Sequence, residues 1–286
     1  MINYLLSFGY SAIGTLLYSF GDYQSAIDNY NLAIQENSED ATSYVNRGMA
    51  RSLTDDFSGA IEDLNQAIQI EPLNLKAYAE RAYIRMKIGE NQTAIEDCNQ
   101  VLDTSPQYLQ AYYIRGAARS YSGDYPGALE DFTHLSTLHP ASASYYNLGV
   151  LQYLHGSKAQ AIKNLTKAID SSVAQVSLSL NYVFVLCVAY YIRGNIFYDI
   201  GDEEAANEDF QEAIKLETTC KNSISETDEH GFWGRGLARH RLGNQEGAIE
   251  DLQTAAEIAL KHQNIIFHQK IMELMQEINP QQQADT

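Results

Sequence analysis

The chain of 286 residues is 45% hydrophobic and carries 37 acidic against 19 basic side chains, a formal charge of −18. That apolar content excludes a disordered chain, and the acidic field repels nucleic-acid phosphates and anionic lipid headgroups. Cys98, Cys187 and Cys220 are odd in number and show no CxxC spacing, which excludes a disulfide framework or a cysteine zinc site and points to a reducing, cytoplasmic location.

In chain order, residues 1–21 hold no charged side chain, and neither do residues 171–192. Both are long enough to span a bilayer. The first lacks the basic start of a signal peptide and is diluted by Ser, Gly and Tyr, and both run in phase with a repeat, so helices of that repeat are expected and not membrane spans. The repeat is set by Gly14, Gly48, Ala82 and Gly116, each 34 residues apart, and continues at Gly149, Gly194 and Gly236. With this small residue at position 8, position 4 reads Tyr10, Tyr44, Tyr78, Tyr112, Tyr145, Tyr190 and Phe232. Position 20 is alanine in every copy, and Pro72, Pro106 and Pro140 close copies two to four. Small residues at 8 and 20 let two helix backbones approach while the aromatic at 4 fills the gap beside them. Each repeat is therefore two helices and a stop.

The copies span 7–40, 41–74, 75–108, 109–142, 142–175, 187–220 and 229–262, with insertions at 176–186 and 221–228. Stacked hairpins need a closing element. Residues 263–278 place Phe267, Ile271, Leu274, Met275 and Ile278 at helical spacing as a capping helix, ahead of a polar tail at 279–286. The aromatic at 4, the small residue at 8, the alanine at 20 and the proline at 32 resemble the tetratricopeptide repeat family over roughly residues 7–262. The resemblance implies an all-α fold, a right-handed superhelical solenoid of antiparallel helix pairs over residues 1–280, with a capping helix at its end. It further implies a concave groove, lined by the first helix of each pair, that holds a peptide or partner segment.

Position 7 is Arg47, Arg81, Arg115, Arg193 and Arg235 in repeats two, three, four, six and seven, but Ile13 and Leu148 in repeats one and five. Position 23 is Asp63, Asp97, Asp131, Asp209 and Asp251 in the same five, and Asn29 and Asn164 in the other two. Residues that come and go together are expected to pair between the two helices as structural ion pairs, since an unpaired buried charge is costly. Arg51, Arg85, Arg119 and Arg239 follow one turn later and are expected to need Glu62, Glu96, Glu130 and Glu250 nearby.

By helical phase, positions 2, 5, 9 and 12 point away from the paired helix, toward the groove. Position 5 supplies Tyr113, Tyr146, Tyr191 and Trp233, and positions 9 and 12 add Tyr83, Tyr153 and Tyr198. Asn46, Asn147 and Asn195 are candidate hydrogen-bonding partners for a peptide backbone, and Lys76 is the main groove cation. Where related proteins grip a terminal carboxylate, Asn46 and Lys76 match, but Ser11, Thr15 and Glu80 replace the other polar and cationic groups. Aromatic rings and net acidity favour an apolar, aromatic or proline-rich partner segment of basic character.

The insertion at 176–186 is apolar and alternates like a strand before running into helix, so its conformation stays open. With the uncharged N-terminal helix it offers an alternative role, a self-associating structural protein. Catalytic motifs are missing: the sequence shows no HExxH, no GxxxxGK[ST] and no GxSxG, and its histidines lack metal-ligand spacing. A non-enzymatic adaptor without cofactor or metal is expected.

Overall fold

The computed structural model describes residues 2–173, 180–220, 229–261 and 265–278, and among them are fifteen α-helices and no strand. The chain divides into two compact units, residues 1–138 and 139–286. The N-terminal unit is four helical hairpins: α1 (Ile2–Ser19) with α2 (Tyr23–Glu36), α3 (Ala41–Ser52) with α4 (Phe57–Ile70), α5 (Leu75–Lys87) with α6 (Asn91–Thr104), and α7 (Leu109–Tyr121) with α8 (Tyr125–Leu138). Within this unit α2 also packs on α3, α4 on α5 and α6 on α7.

Local chemistry starts and turns these helices. Asp22, Asp40, Asp56 and Asn74 accept the backbone N–H of the residue three further on, satisfying a donor that the helix itself cannot. The hairpin bend falls at position 15, which in all seven repeats lies in the left-handed region. Six of these residues are glycine and the seventh is Asp55 at φ 61°. A side chain is costly there, so the reversal is written into the sequence as glycine.

Position 8 carries the helix contact. A Cβ added at Gly48 would lie 3.1 Å from the Ala60 carbonyl oxygen and 3.2 Å from Leu64 Cγ, and one at Gly116 would lie 2.9 Å from Phe132 Cε1. Leu64 and Phe132 stand at position 24, where full burial of a side chain of this size contributes about 1.5–3 kcal/mol. The third repeat swaps both partners. Ala82 takes the place of glycine, and the fully buried Cys98 takes the place of the large side chain.

The C-terminal unit comprises α9 (Ser142–Leu154) with α10 (Lys158–Val173), α11 (Leu180–Asp199) with α12 (Glu203–Cys220), α13 (Glu229–Arg241) with α14 (Gln245–Lys261), and a last helix α15 (Ile265–Ile278). Helix α11 begins at Leu180, so the second part of the apolar insertion is helical, while residues 174–179, the insertion at 221–228 and the tail from 279 lie outside the described residues. Helix α15 buries Ile271 and Ile278 against Leu252, Ala255, Ala256 and Ala259, with Phe267, Leu274 and Met275 packed around them. No helix among the described residues is long and apolar enough to cross a membrane.

Candidate functional site

The arginines are built into the hairpins. Arg47 Nη2 and Nε lie 2.6 and 2.9 Å from the two carboxylate oxygens of Asp63, a bidentate pair in which the carboxylate side chain is 4% exposed. The same contact joins Arg81 to Asp97 at 2.6 Å, Arg115 to Asp131 at 2.6 Å, Arg193 to Asp209 at 2.7 Å and Arg235 to Asp251 at 2.6 Å. Each of these guanidinium groups also lies over the position 4 ring one turn earlier, at 5.4 Å for Arg47 on Tyr44 and 5.2 Å for Arg235 on Phe232.

The second arginine is held differently from the sequence expectation. Glu62, Glu96 and Glu130 are solvent-exposed. The counter-ion is instead the same buried aspartate: Arg51 Nη1 donates to Asp63 at 2.9 Å, Arg85 to Asp97 at 2.8 Å, Arg119 to Asp131 at 2.8 Å, and Arg239 lies 2.9 Å from Asp251. A carboxylate has lone pairs for two guanidinium groups, and burial places it between them where an exposed glutamate one residue away cannot reach. Arg51 completes its shell with the Gly59 carbonyl at 3.1 Å and Asp56 at 3.5 Å.

A third strand of this network escapes a reading that compares residues within one repeat. Arg47 Nη1 donates to Asn31 at 2.7 Å, Arg81 to Asn65 at 2.5 Å and Arg115 to Asn99 at 2.7 Å, so each arginine ties its own hairpin to the second helix of the preceding one. In the C-terminal unit Arg193 reaches Thr166 at 2.8 Å. The signal was present as an asparagine sixteen residues before each of these three arginines. Repeat five replaces the whole set by neutral groups, Leu148, Gln152 and Asn164, with Asn164 donating to Gln152 at 2.8 Å.

In repeat six the second arginine is Phe197, and Arg193 alone faces Asp209. Burial pushes the Asp209 carboxyl up, against the pull of Arg193. The folded state then holds the proton more tightly than the unfolded one, so this stabilisation is complete below the ordinary aspartate value of 3.8 and is lost as pH rises through the raised folded value. Comparing Asp209→Asn with the parent by urea denaturation across that range should show the parent losing stability relative to the variant as pH climbs. Parallel pH profiles would contradict the assignment.

The expected groove residues divide into two kinds. Tyr83, Tyr113 and Tyr198 are 37%, 40% and 49% exposed. Tyr146, Tyr153, Tyr191 and Trp233 are half-buried. Tyr191 stands edge-on to Trp233 at 6.1 Å between ring centres, Trp233 stands edge-on to Phe267 at 5.9 Å, and Tyr191 also meets Phe210. These rings join α11, α12, α13 and α15, and Tyr146 and Tyr153 pack on the core of α10 and α11. The reason lies in position 5 itself: Val45 and Ala79 there are 2% and 0% exposed, so it is a seam between neighbouring first helices and a ring at it is partly covered. Asn195 is 7% exposed and engaged, donating to the Tyr191 carbonyl and accepting from Arg241, whose guanidinium also covers Tyr198. Asn46 and Asn147 are half-buried, and Lys76 is exposed.

Within the N-terminal unit the exposed rings cluster. Tyr113 lies near Tyr83 and Tyr121, and Tyr121, at position 13 and one residue past those considered from sequence, is 73% exposed. The Lys87 ammonium sits 5.9 Å from the Tyr83 ring centre. At the start of the same unit a cavity of about 630 Å³ is bounded by α1, α3 and the loops between hairpins. Tyr4, Phe8, Ser11, Thr15 and Asn46 line it together with Glu39, Asp40 and Glu71, and no lysine or arginine does. Asp40 is engaged there as the α3 cap, accepting from Ser43 and Ser7. Burial pushes the Cys98 thiol up to about 12, which keeps it neutral and unreactive. No group of three metal-ligating side chains occurs among the described residues.

A stack of two-helix repeats whose polar residues tie hairpin to hairpin defines a helical repeat protein, with stability distributed over neighbour contacts. Tetratricopeptide repeat family models match residues 11–74, 75–108, 113–172 and 188–220, and the chain belongs to that family. No curated protein sequence matches it. Among solved structures, a tetratricopeptide repeat protein from Parabacteroides merdae is similar at a TM-score of 0.69 and 16% identity, over 96% of this chain and 99% of that one. MamA from Desulfovibrio magneticus is similar at 0.55 and 18% identity, over 59% and 96% of the respective chains. The Thermus thermophilus protein TTC0263 is similar at 0.52 and 17%, over 63% and 98%. These likenesses concern the fold. The family is one of protein-interaction scaffolds, and its repeats are generally non-enzymatic.

Proposed function

We propose that this chain is an adaptor that holds an extended segment of another protein against the first-helix face of its N-terminal unit. The observation that carries the reading is the cluster of Tyr83, Tyr113 and Tyr121, three open rings on the adjoining helices α5 and α7. Tyrosines on a rigid helical scaffold give large contact area at small entropic cost, and extended proline-rich or aromatic segments dock on such surfaces. The cavity rimmed by Glu39 and Glu71 and the charge of −18 favour basic residues in the same segment. This moves the emphasis from the rings of the C-terminal unit, which are largely occupied in holding that unit together, to those of the N-terminal one.

An array of immobilised peptides rich in proline, lysine and aromatic residues, probed with the full chain, supplies ligands for fluorescence anisotropy. Replacing Tyr83, Tyr113 and Tyr121 together by alanine should weaken the best binder by about tenfold or more with helicity unchanged, and added salt should weaken it further. Affinity untouched by the triple replacement would place the contact elsewhere. Replacing Tyr191 and Trp233 should instead lower the melting temperature.

A further inference from the structure

We propose that the chain pairs with a second copy of itself through α1, two such helices crossing antiparallel over Gly9 and Ala12. Six large apolar or aromatic side chains of α1 are exposed, against at most three on any other described helix. Ser7 and Gly14 mark the side that packs inward. At 100° per residue Leu5, Gly9, Ala12, Ile13 and Leu16, with Phe20 just beyond the helix, fall on the opposite side as one stripe. Leu5, Ile13, Leu16 and Phe20 are 63%, 49%, 57% and 78% exposed.

Gly9 points to a close neighbour from outside. A glycine inside a helix weakens it relative to alanine, and the usual compensation is a contact too tight for a Cβ. Gly14 in the same helix has that contact, since a Cβ there would lie 2.7 Å from the Tyr30 ring, whereas a Cβ at Gly9 would meet nothing within 4 Å. The chain itself gives no reason for this glycine. A second helix backbone crossing over it does.

Three features make the occupant another copy. Helix α1 has no charged residue, so its outer face is a surface where two chains of charge −18 can touch without apposing like charges. Ile13 stands where repeats two, three and four carry the arginine that bonds back to the asparagine of the preceding hairpin, so this face presents an apolar side chain where theirs present a charge. The stripe is also self-complementary. Gly9 and Ala12 straddle the midpoint of the helix, and an antiparallel crossing there sets Leu5 of one copy against Leu16 of the other, twice, about the two-fold axis.

Sedimentation velocity of the full chain over a wide concentration range tests this. The parent should show a monomer–dimer equilibrium that strengthens with added salt, as screening relieves repulsion between acidic copies. Leu16→Asp should weaken dimerisation by about tenfold or more with an unchanged helical spectrum. Gly9→Ala should leave the dilute monomer as heat-stable or more so, because the new methyl meets nothing, yet weaken the dimer. The proposal is overturned by a parent that stays monomeric at every concentration, by a dimer indifferent to Leu16→Asp, or by a monomer that uses this helix to bind phosphatidylcholine vesicles.

Discussion

Asp131→Leu should destabilise the chain by about 3–5 kcal/mol, because it strands two partly buried guanidinium groups at once. Asp131 is 1% exposed and accepts from Arg115 through both oxygens and from Arg119 at 2.8 Å. Arg115→Leu should cost less, since Arg119 still faces the carboxylate, although Asn99 then loses its donor across the hairpin boundary. Repeat five shows the way out. Its Leu148, Gln152 and Asn164 occupy the same three positions without charge, so Arg115→Leu, Arg119→Gln and Asp131→Asn combined should recover most of the loss. Urea denaturation followed by helical circular dichroism measures all three. A triple variant as unstable as Asp131→Leu would mean that the neutral set depends on other features of repeat five.

That network explains how far the sequence could be read. The bend at position 15, the small residue at 8 and the alanine at 20 are each decided within one hairpin by sterics, and their spacing alone reveals the helix pairs. Arg47 and Asp63 are also legible, because both lie in one repeat and vanish together in repeats one and five. The bond from Arg47 to Asn31 crosses a repeat boundary, so tabulating residues position by position within a repeat hides it. The pairing of Arg51 with Asp63 instead of Glu62 turns on which of two adjacent acids faces inward, and the co-occurrence of positions 7 and 23 had already put the aspartate there. Exposure of the rings was the least legible feature. Tyr113 and Tyr191 share position 5 and each meets the ring at position 24, Phe132 or Phe210, but Trp233 and Arg241 of the next repeat close over the second, whereas the first has only the exposed Tyr83 and Tyr121 nearby. What covers a ring is chosen by residues of other repeats, whose identity the periodic pattern does not constrain.

Cys98→Leu should destabilise the N-terminal unit by about 1–3 kcal/mol through overpacking, and Ala82→Gly in the same chain should relieve most of that cost. Elsewhere position 8 is glycine and position 24 is large, with Cβ positions at Gly48 and Gly116 already within 3.2 and 2.9 Å of Leu64 and Phe132. The third repeat keeps the methyl of Ala82 by making position 24 a cysteine, and both are fully buried. Taken alone, Ala82→Gly opens a small void and loses helix propensity, together about 1 kcal/mol or more. Additive costs would give the double variant the worst melt of the set. Complementary packing gives instead a double variant more stable than Cys98→Leu alone, a coupling that a double-mutant cycle in urea reads directly. Strict additivity would show that the third hairpin adjusts its helix spacing freely, and the volume exchange between these two positions would then have no part in fixing it.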